Sequence, residues 1–162
     1  MRIISGGQTG ADRGGLDAAI TLGLEHGGWC PKGRRAEDGK IPEHYLLVET
    51  GSPDYLKRTE LNVRDADATL IFIDHLPLSG GSKRTVEFCK ARDKPGLVVI
   101  TNPEKRTFNA RSIERFFQYF KPTTLNIAGC RESKAPGIQR EVRNLLVRVL
   151  RQAVEAMKRS PL

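Results

Sequence analysis

The chain has 162 residues, 38% of them hydrophobic and 28% charged, and a formal net charge of +8. That length suits one domain, not two ordinary ones, and the apolar share supports a packed core, which excludes a disordered chain. The positive balance suits an anionic partner: nucleic acid, an acidic membrane surface or a phosphorylated small molecule.

Residues 2–5 read as a short strand running into glycines. Residues 11–24 read as a helix with Leu16, Ala19, Ile20 and Gly23 along one side. A brief second strand is expected over 27–30. Residues 31–42 carry Gly, Pro and charge without periodicity, which predicts a long loop of the kind that is often functional in compact domains. A strand over 45–49 precedes a helix over 54–65, with Tyr55, Arg58, Thr59 and Asn62 at helical spacing. The unbroken apolar run at 68–73 predicts a strand buried on both faces. A helix over 82–92 and a second buried strand over 96–100 come next. Residues 110–120 form a helix with Ile113, Phe116, Phe117 and Phe120 inward, and 123–128 the last strand. The closing helix, 138–157, carries the stripe Val142, Leu145, Leu146, Val149, Leu150, Ala153 and Met157. Strands alternating with helices imply crossover connections. The expected fold is a single Rossmann-like α/β domain over 1–158, three-layered, with a mainly parallel sheet and helices on both faces, followed by a tail over 159–162.

The basic excess concentrates late: Arg131, Lys134, Arg140, Arg143, Arg148, Arg151, Lys158 and Arg159 outnumber Glu132, Glu141 and Glu155. Most of these cations fall on the outer face of the closing helix, where a solvated surface is the plain reading. An interaction module for nucleic acid or protein is the alternative, but no interleaved aromatics or reader motif argue for nucleic acid. The three cysteines, Cys30, Cys89 and Cys130, match no zinc spacing, and the three histidines are scattered, so no metal site is expected. An odd cysteine number, no leader pattern and no apolar run of membrane length point to a soluble, cytoplasmic protein.

Sheets of this kind bind ligands at the carboxyl ends of their strands. After the first strand, Gly6, Gly7 and Gly10 let backbone N–H groups approach an anion, and Thr9, Asp12 and Arg13 add side chains at a helix N-terminus. The stretch lacks the Lys-Ser/Thr of a P-loop and the glycine spacing of the dinucleotide fingerprint. A structural turn, with Asp12 as a helix cap, is the competing reading. After the central strand, Gly80, Gly81 and Ser82 open a helix that carries Thr85 and Glu87 in its first turns. After the last strand come Gly129, Arg131 and Ser133, with Cys130 read as a packed residue, not a nucleophile. In the long loop, Lys32, Arg34 and Arg35 are candidates to clamp phosphate.

These motifs together resemble the molybdenum carrier family. The resemblance rests on Ser5-Gly-Gly-Gln-Thr-Gly-Ala-Asp12, on Gly28-Trp-Cys-Pro-Lys-Gly-Arg34 with Ala36-Glu-Asp-Gly39, and on Tyr55 with Arg58-Thr59 and Asn62-Val63. Asp65-Ala-Asp-Ala-Thr69 and Gly129 with Arg131-Glu-Ser-Lys-Ala-Pro-Gly137 complete it. It covers nearly the whole chain. It implies membership of the SLOG group of Rossmann-like domains, a homo-oligomer (dimer or tetramer), and a phosphate-bearing pterin or nucleotide-like ligand, with molybdenum cofactor as cargo. A more distant similarity links Arg58 and the series Gly80, Gly81, Thr85 and Glu87 to the Lonely-guy phosphoribohydrolases. There, Arg58 would stabilise charge and Glu87 would handle the oxocarbenium-like sugar or the attacking water. Ser79 stands where those enzymes have proline, and Arg84 where they have a second glycine. The resemblance therefore gives a binding protein first and a nucleoside 5′-monophosphate hydrolase second.

Overall fold

The computed structural model describes residues 1–159, with side chains through Glu155. Its central sheet has five parallel strands in the order β2-β1-β9-β7-β8: β1 (Arg2–Ile4), β2 (Glu25–Gly27), β7 (Ala68–Ile73), β8 (Gly96–Ile100) and β9 (Thr124–Gly129). The last strand in the sequence thus fills the middle of the sheet, between β1 and β7. Helices α1 (Ala11–Leu22), α4 (Arg106–Phe120) and α5 (Ile138–Arg159) cover one face, and α2 (Tyr55–Asp65) and α3 (Gly80–Ala91) the other. This is the Rossmann-like α/β architecture expected from the alternation of elements. β7 is buried at every position, as its unbroken apolar run requires. The main core joins Ile3, Leu70, Phe72, Leu125 and Ile127 of the sheet to Ile113 of α4 and Leu146 of α5.

The element boundaries differ from the expectation where backbone geometry intervenes. Residues 27–30 do not form one strand. β2 ends at Gly27, and β3 (Trp29–Cys30) leaves the central sheet to pair with β6 (Val48–Glu49). Gly28 makes the break at φ +123°, pressed so closely on the Ser5 backbone that a Cβ has no room. The strand expected over 45–49 shrinks to β6.

The long loop is organised. It holds a hairpin, β4 (Arg35–Ala36) with β5 (Gly39–Lys40), and a small core of its own in which Leu16, Cys30, Ile41 and Tyr45 are buried together. Gly23 is not part of the α1 stripe; it caps the helix in the left-handed region at φ +66°, and Ile20 is 44% exposed. Phe120 ends α4 and stacks on Phe116 at 4.8 Å between centroids, leaving its outer side open. Ala153 is exposed and Val154 takes the buried place in that turn. The side chain of Met157 and residues 160–162 of the expected tail lie outside the described residues. No helix among the described residues is long and apolar enough to cross a membrane.

Candidate functional site

Because β9 lies between β1 and β7, the turns that follow these three strands are neighbours at one edge of the sheet. They enclose a cleft lined by Gly6, Asp12, Arg58, Gly81 and Gly129, with Asn62 and Asn126 at its floor. Its outer part adds Gln8, Ser82, Arg131 and Lys134. The turn after β1 is fastened to the turn after β9: the Ala11 N–H donates to the Cys130 carbonyl at 3.0 Å. Gly10 sits at φ +83°, where a side chain would strike the backbone of residues 130–132.

Arg58, one turn into α2, reaches across to the first turn of α1. Its Nη1 donates to Asp12 Oδ2 at 2.5 Å, and the two side chains are 12% and 6% exposed. Asp12 Oδ2 also accepts from the Gln8 N–H at 3.2 Å. The guanidinium occupies the space beside Gly6 that a Cβ would need. Asp12 therefore orients an arginine and does not cap α1, whose N-cap is Gly10. A buried ion pair of this kind is a poor source of stability, because desolvation offsets the attraction. Its retention in a cleft suits positioning.

Two buried donors here have no partner among the described residues: Nε2 of Gln8 and Nε of Arg58. Gln8 is 5% exposed, and its Oε1 already accepts from the N–H groups of Thr9 and Glu37 at 3.1 and 2.9 Å, which fixes the amide. An unsatisfied buried donor is costly and calls for an acceptor, whether an ordered water, an ion or a ligand.

The remaining sequence candidates divide. Ser82 and Thr85 are buried in the first turns of α3 and line the cleft, although Thr85 Oγ1 donates back to the Gly81 carbonyl at 2.8 Å. Gly80 opens α3 at φ +51°, near Lys134 Nζ. Gly7 faces away from the cleft, packed on Leu47 and Ile41. Arg13 is structural: Nε donates to the Gly7 carbonyl at 3.0 Å, and its two Nη groups hold Asp38 at 2.6 and 2.8 Å. Thr9 and Ser133 converge on a carboxylate of the protein itself. The Thr9 hydroxyl, the Ser133 hydroxyl and the Ser133 N–H all donate to Glu37, and Arg131 stands 3.8 Å away.

Burial pushes the Glu37 carboxyl up. The hydrogen bonds from Ser133 and Thr9 and the Arg131 charge outweigh that effect and hold it below the usual carboxylate range. In Asp38 the hydrogen bonds from Arg13 dominate and lower its pKa despite burial.

Of the loop cations, Arg34 turns inward at φ +53° and donates to the carbonyls of Ile41, Leu47, Pro42 and Tyr45. It holds the loop together and is not at the surface to clamp an anion. Lys32 is exposed and lines neither part of the cleft. The N-terminus of α5 is capped by Glu132, which accepts from the N–H groups of Gly137 and Gln139. Glu87 lies outside the cleft lining, with its carboxylate 2.7 Å from Arg84. Burial pushes the Cys130 thiol up, in line with a packed residue. Among the described residues no group of His, Cys, Asp or Glu is placed to hold a metal ion.

Sequence reasoning missed Gln8, Asn62, Asn126 and Lys134 as cleft residues and Glu37 as the acceptor between loops. Of these, only Asn126 stood outside the motifs already singled out.

A parallel sheet with its last strand in the centre defines a Rossmann-like domain, and the polar cleft where three strand-following turns meet is its candidate site. Residues 3–150 match the circularly permutated YpsA SLOG family, and the chain belongs to it. The chain is also similar to a solved structure, the putative molybdenum carrier protein from Syntrophus aciditrophicus SB: 45% identity, 92% of this chain and 94% of that one covered, TM-score 0.88. No curated protein matches.

Proposed function

We propose that the cleft binds a small molecule by its phosphate, and that the chain is a carrier whose cargo is molybdenum cofactor or a related phosphate-bearing pterin or nucleotide-like ligand. The observation that carries this reading is the pair of unpartnered buried donors, Gln8 Nε2 and Arg58 Nε, in residues lining one cleft beside the N-terminus of α3. Phosphate oxygens supply the missing acceptors, and the start of α3 adds partial positive charge. Lys134 and Arg131 complete the anionic preference. The relative's description as a molybdenum carrier supports the cargo. A pterin anchored through its phosphate needs no protein ligand to the metal, so the chemistry of the lining is compatible with that cargo. The same reading takes the protein to be a cytoplasmic homo-oligomer that binds without turnover.

Gly81→Asp tests the site. Gly81 is exposed, and a Cβ there meets nothing within 4 Å, so the variant folds. The new carboxylate repels an anion from the start of α3. Loss of phosphate and AMP binding by calorimetry, with an unchanged melting temperature, is the expected result. Unchanged affinity in the folded variant rejects the site.

A further inference from the structure

Tyr55 opens α2, the helix that also carries Arg58. Three guanidinium groups gather around its ring: their carbons stand 5.6 Å (Arg35), 5.7 Å (Arg58) and 5.9 Å (Arg131) from the ring centroid. They come from three segments, the β4–β5 hairpin, α2 and the turn after β9, so no single element explains the convergence. No pair of them is further apart than twice that radius.

An aromatic face attracts cations but brings no negative charge, and three guanidiniums so placed repel one another unless anions join them. Two of the three have a carboxylate at hand, and each of those acids also accepts from other donors. Asp12 takes Arg58 and the Gln8 N–H; Glu37 takes Thr9 and Ser133 and approaches Arg131 only at 3.8 Å. Arg35 makes no ion pair among the described residues. Arg58 keeps Nε unpartnered. Arg35 and the Nε of Arg58 therefore remain as cationic donors that neither acid takes up.

We infer that the ligand carries two linked phosphates and that Tyr55 is the hub of a diphosphate clamp. This rests on the phosphate reading of the cleft and extends it. The first phosphate sits at the inner position, against Gln8, Arg58 and the start of α3. The second lies over the Tyr55 cluster between Arg35 and Arg131, whose planar donor pairs match phosphate oxygens. The ligand class is a nucleoside diphosphate or another diphosphate ester. Arg35 is the residue that distinguishes it from a monophosphate.

The test is calorimetric titration with inorganic phosphate and inorganic pyrophosphate at one fixed ionic strength, using the full chain and its Arg35→Gln variant. Arg35 is exposed, so the variant keeps the fold. In the unaltered protein pyrophosphate is expected to bind at least about tenfold more tightly than phosphate. Arg35→Gln is expected to remove most of that preference while leaving phosphate affinity within about twofold. Equal affinities in the unaltered protein, or a preference unchanged in Arg35→Gln, overturn the clamp and leave the phosphate site standing. Failure of both anions to bind removes the phosphate site and the clamp together.

Discussion

The guanidinium of Arg58 fills the space where a Cβ on Gly6 would lie, and from there it donates to Asp12. One close approach thus couples the turn after β1 to α2 and fixes the geometry of the cleft. Gly6→Ala forces Arg58 out of its place. The expected cost is about 1–3 kcal/mol of stability, as for other overpacked sites. Phosphate binding is expected to fall with it, by calorimetry and thermal melting on the same samples.

The Asp12–Arg58 pair gives a second prediction. Removing either partner leaves an uncompensated buried charge, so Asp12→Asn and Arg58→Met are each expected to destabilise by about 3–5 kcal/mol. The double variant is expected to be less destabilised than the sum of the two, because it removes both charges. Additive losses in a denaturant-unfolding cycle would show that the two side chains act independently.

Acid is expected to loosen the β4–β5 hairpin first. Glu37 and Asp38 both have folded-state carboxyls held below their ordinary range, by hydrogen bonds from Ser133 and Thr9 against burial and by those of Arg13 respectively. For lowered carboxyls the stabilisation is present in full above the ordinary carboxylate pKa and is lost as pH falls through the folded value. Hydrogen exchange across the acid range checks this: residues 35–40 are expected to gain exchange before the central strands do. Glu37→Gln is expected to show the looser hairpin already at neutral pH.

Two glycines of the same cleft are expected to behave oppositely. Gly129 lies at φ +151°, and its Cβ would collide with the backbone of Phe72, so Gly129→Ala is expected to abolish folding. Gly81 has open space and lies within α3, so Gly81→Ala is expected to raise stability by about 0.5–1 kcal/mol. Soluble yield and melting temperature separate the two cases.

Glu87 is expected to be dispensable for binding, since its carboxylate is held by Arg84 outside the cleft lining. Glu87→Gln is expected to leave AMP affinity unchanged, and the unaltered protein to release no free base from AMP. Base release that disappears in Glu87→Gln would make the protein a hydrolase.

Much of the fold was legible because parallel strands write apolar runs: β7 and β8 are found where the runs at 68–73 and 96–100 placed them, although β8 is not the buried strand expected, since it lies at the sheet edge and buries only Val99. The strand order was not legible, since nothing local to 124–129 says that it pairs between β1 and β7. The hairpin in the long loop was invisible for a similar reason. Its strands are two residues each, and its stability comes from Arg13, Arg34 and the buried Ile41, contacts distant in sequence or carried by backbone carbonyls. At the site, glycine-rich stretches marked the turns correctly, but not which side chains face the cleft. Thr9 and Ser133 turned out to serve Glu37, and Arg34 the loop's own carbonyls. Gln8 became a site residue only through the hydrogen bonds that fix its amide and leave Nε2 free.

The central claim is that Gln8 Nε2 and Arg58 Nε await a phosphate. Nitrogen-15 NMR of the protein, titrated with inorganic phosphate and then with AMP, observes both groups directly. The account predicts saturable shifts of the Gln8 side-chain amide and the Arg58 Nε–H, abolished in Gly81→Asp. If both signals stay unmoved at saturating concentrations of either compound, the cleft is not a phosphate site.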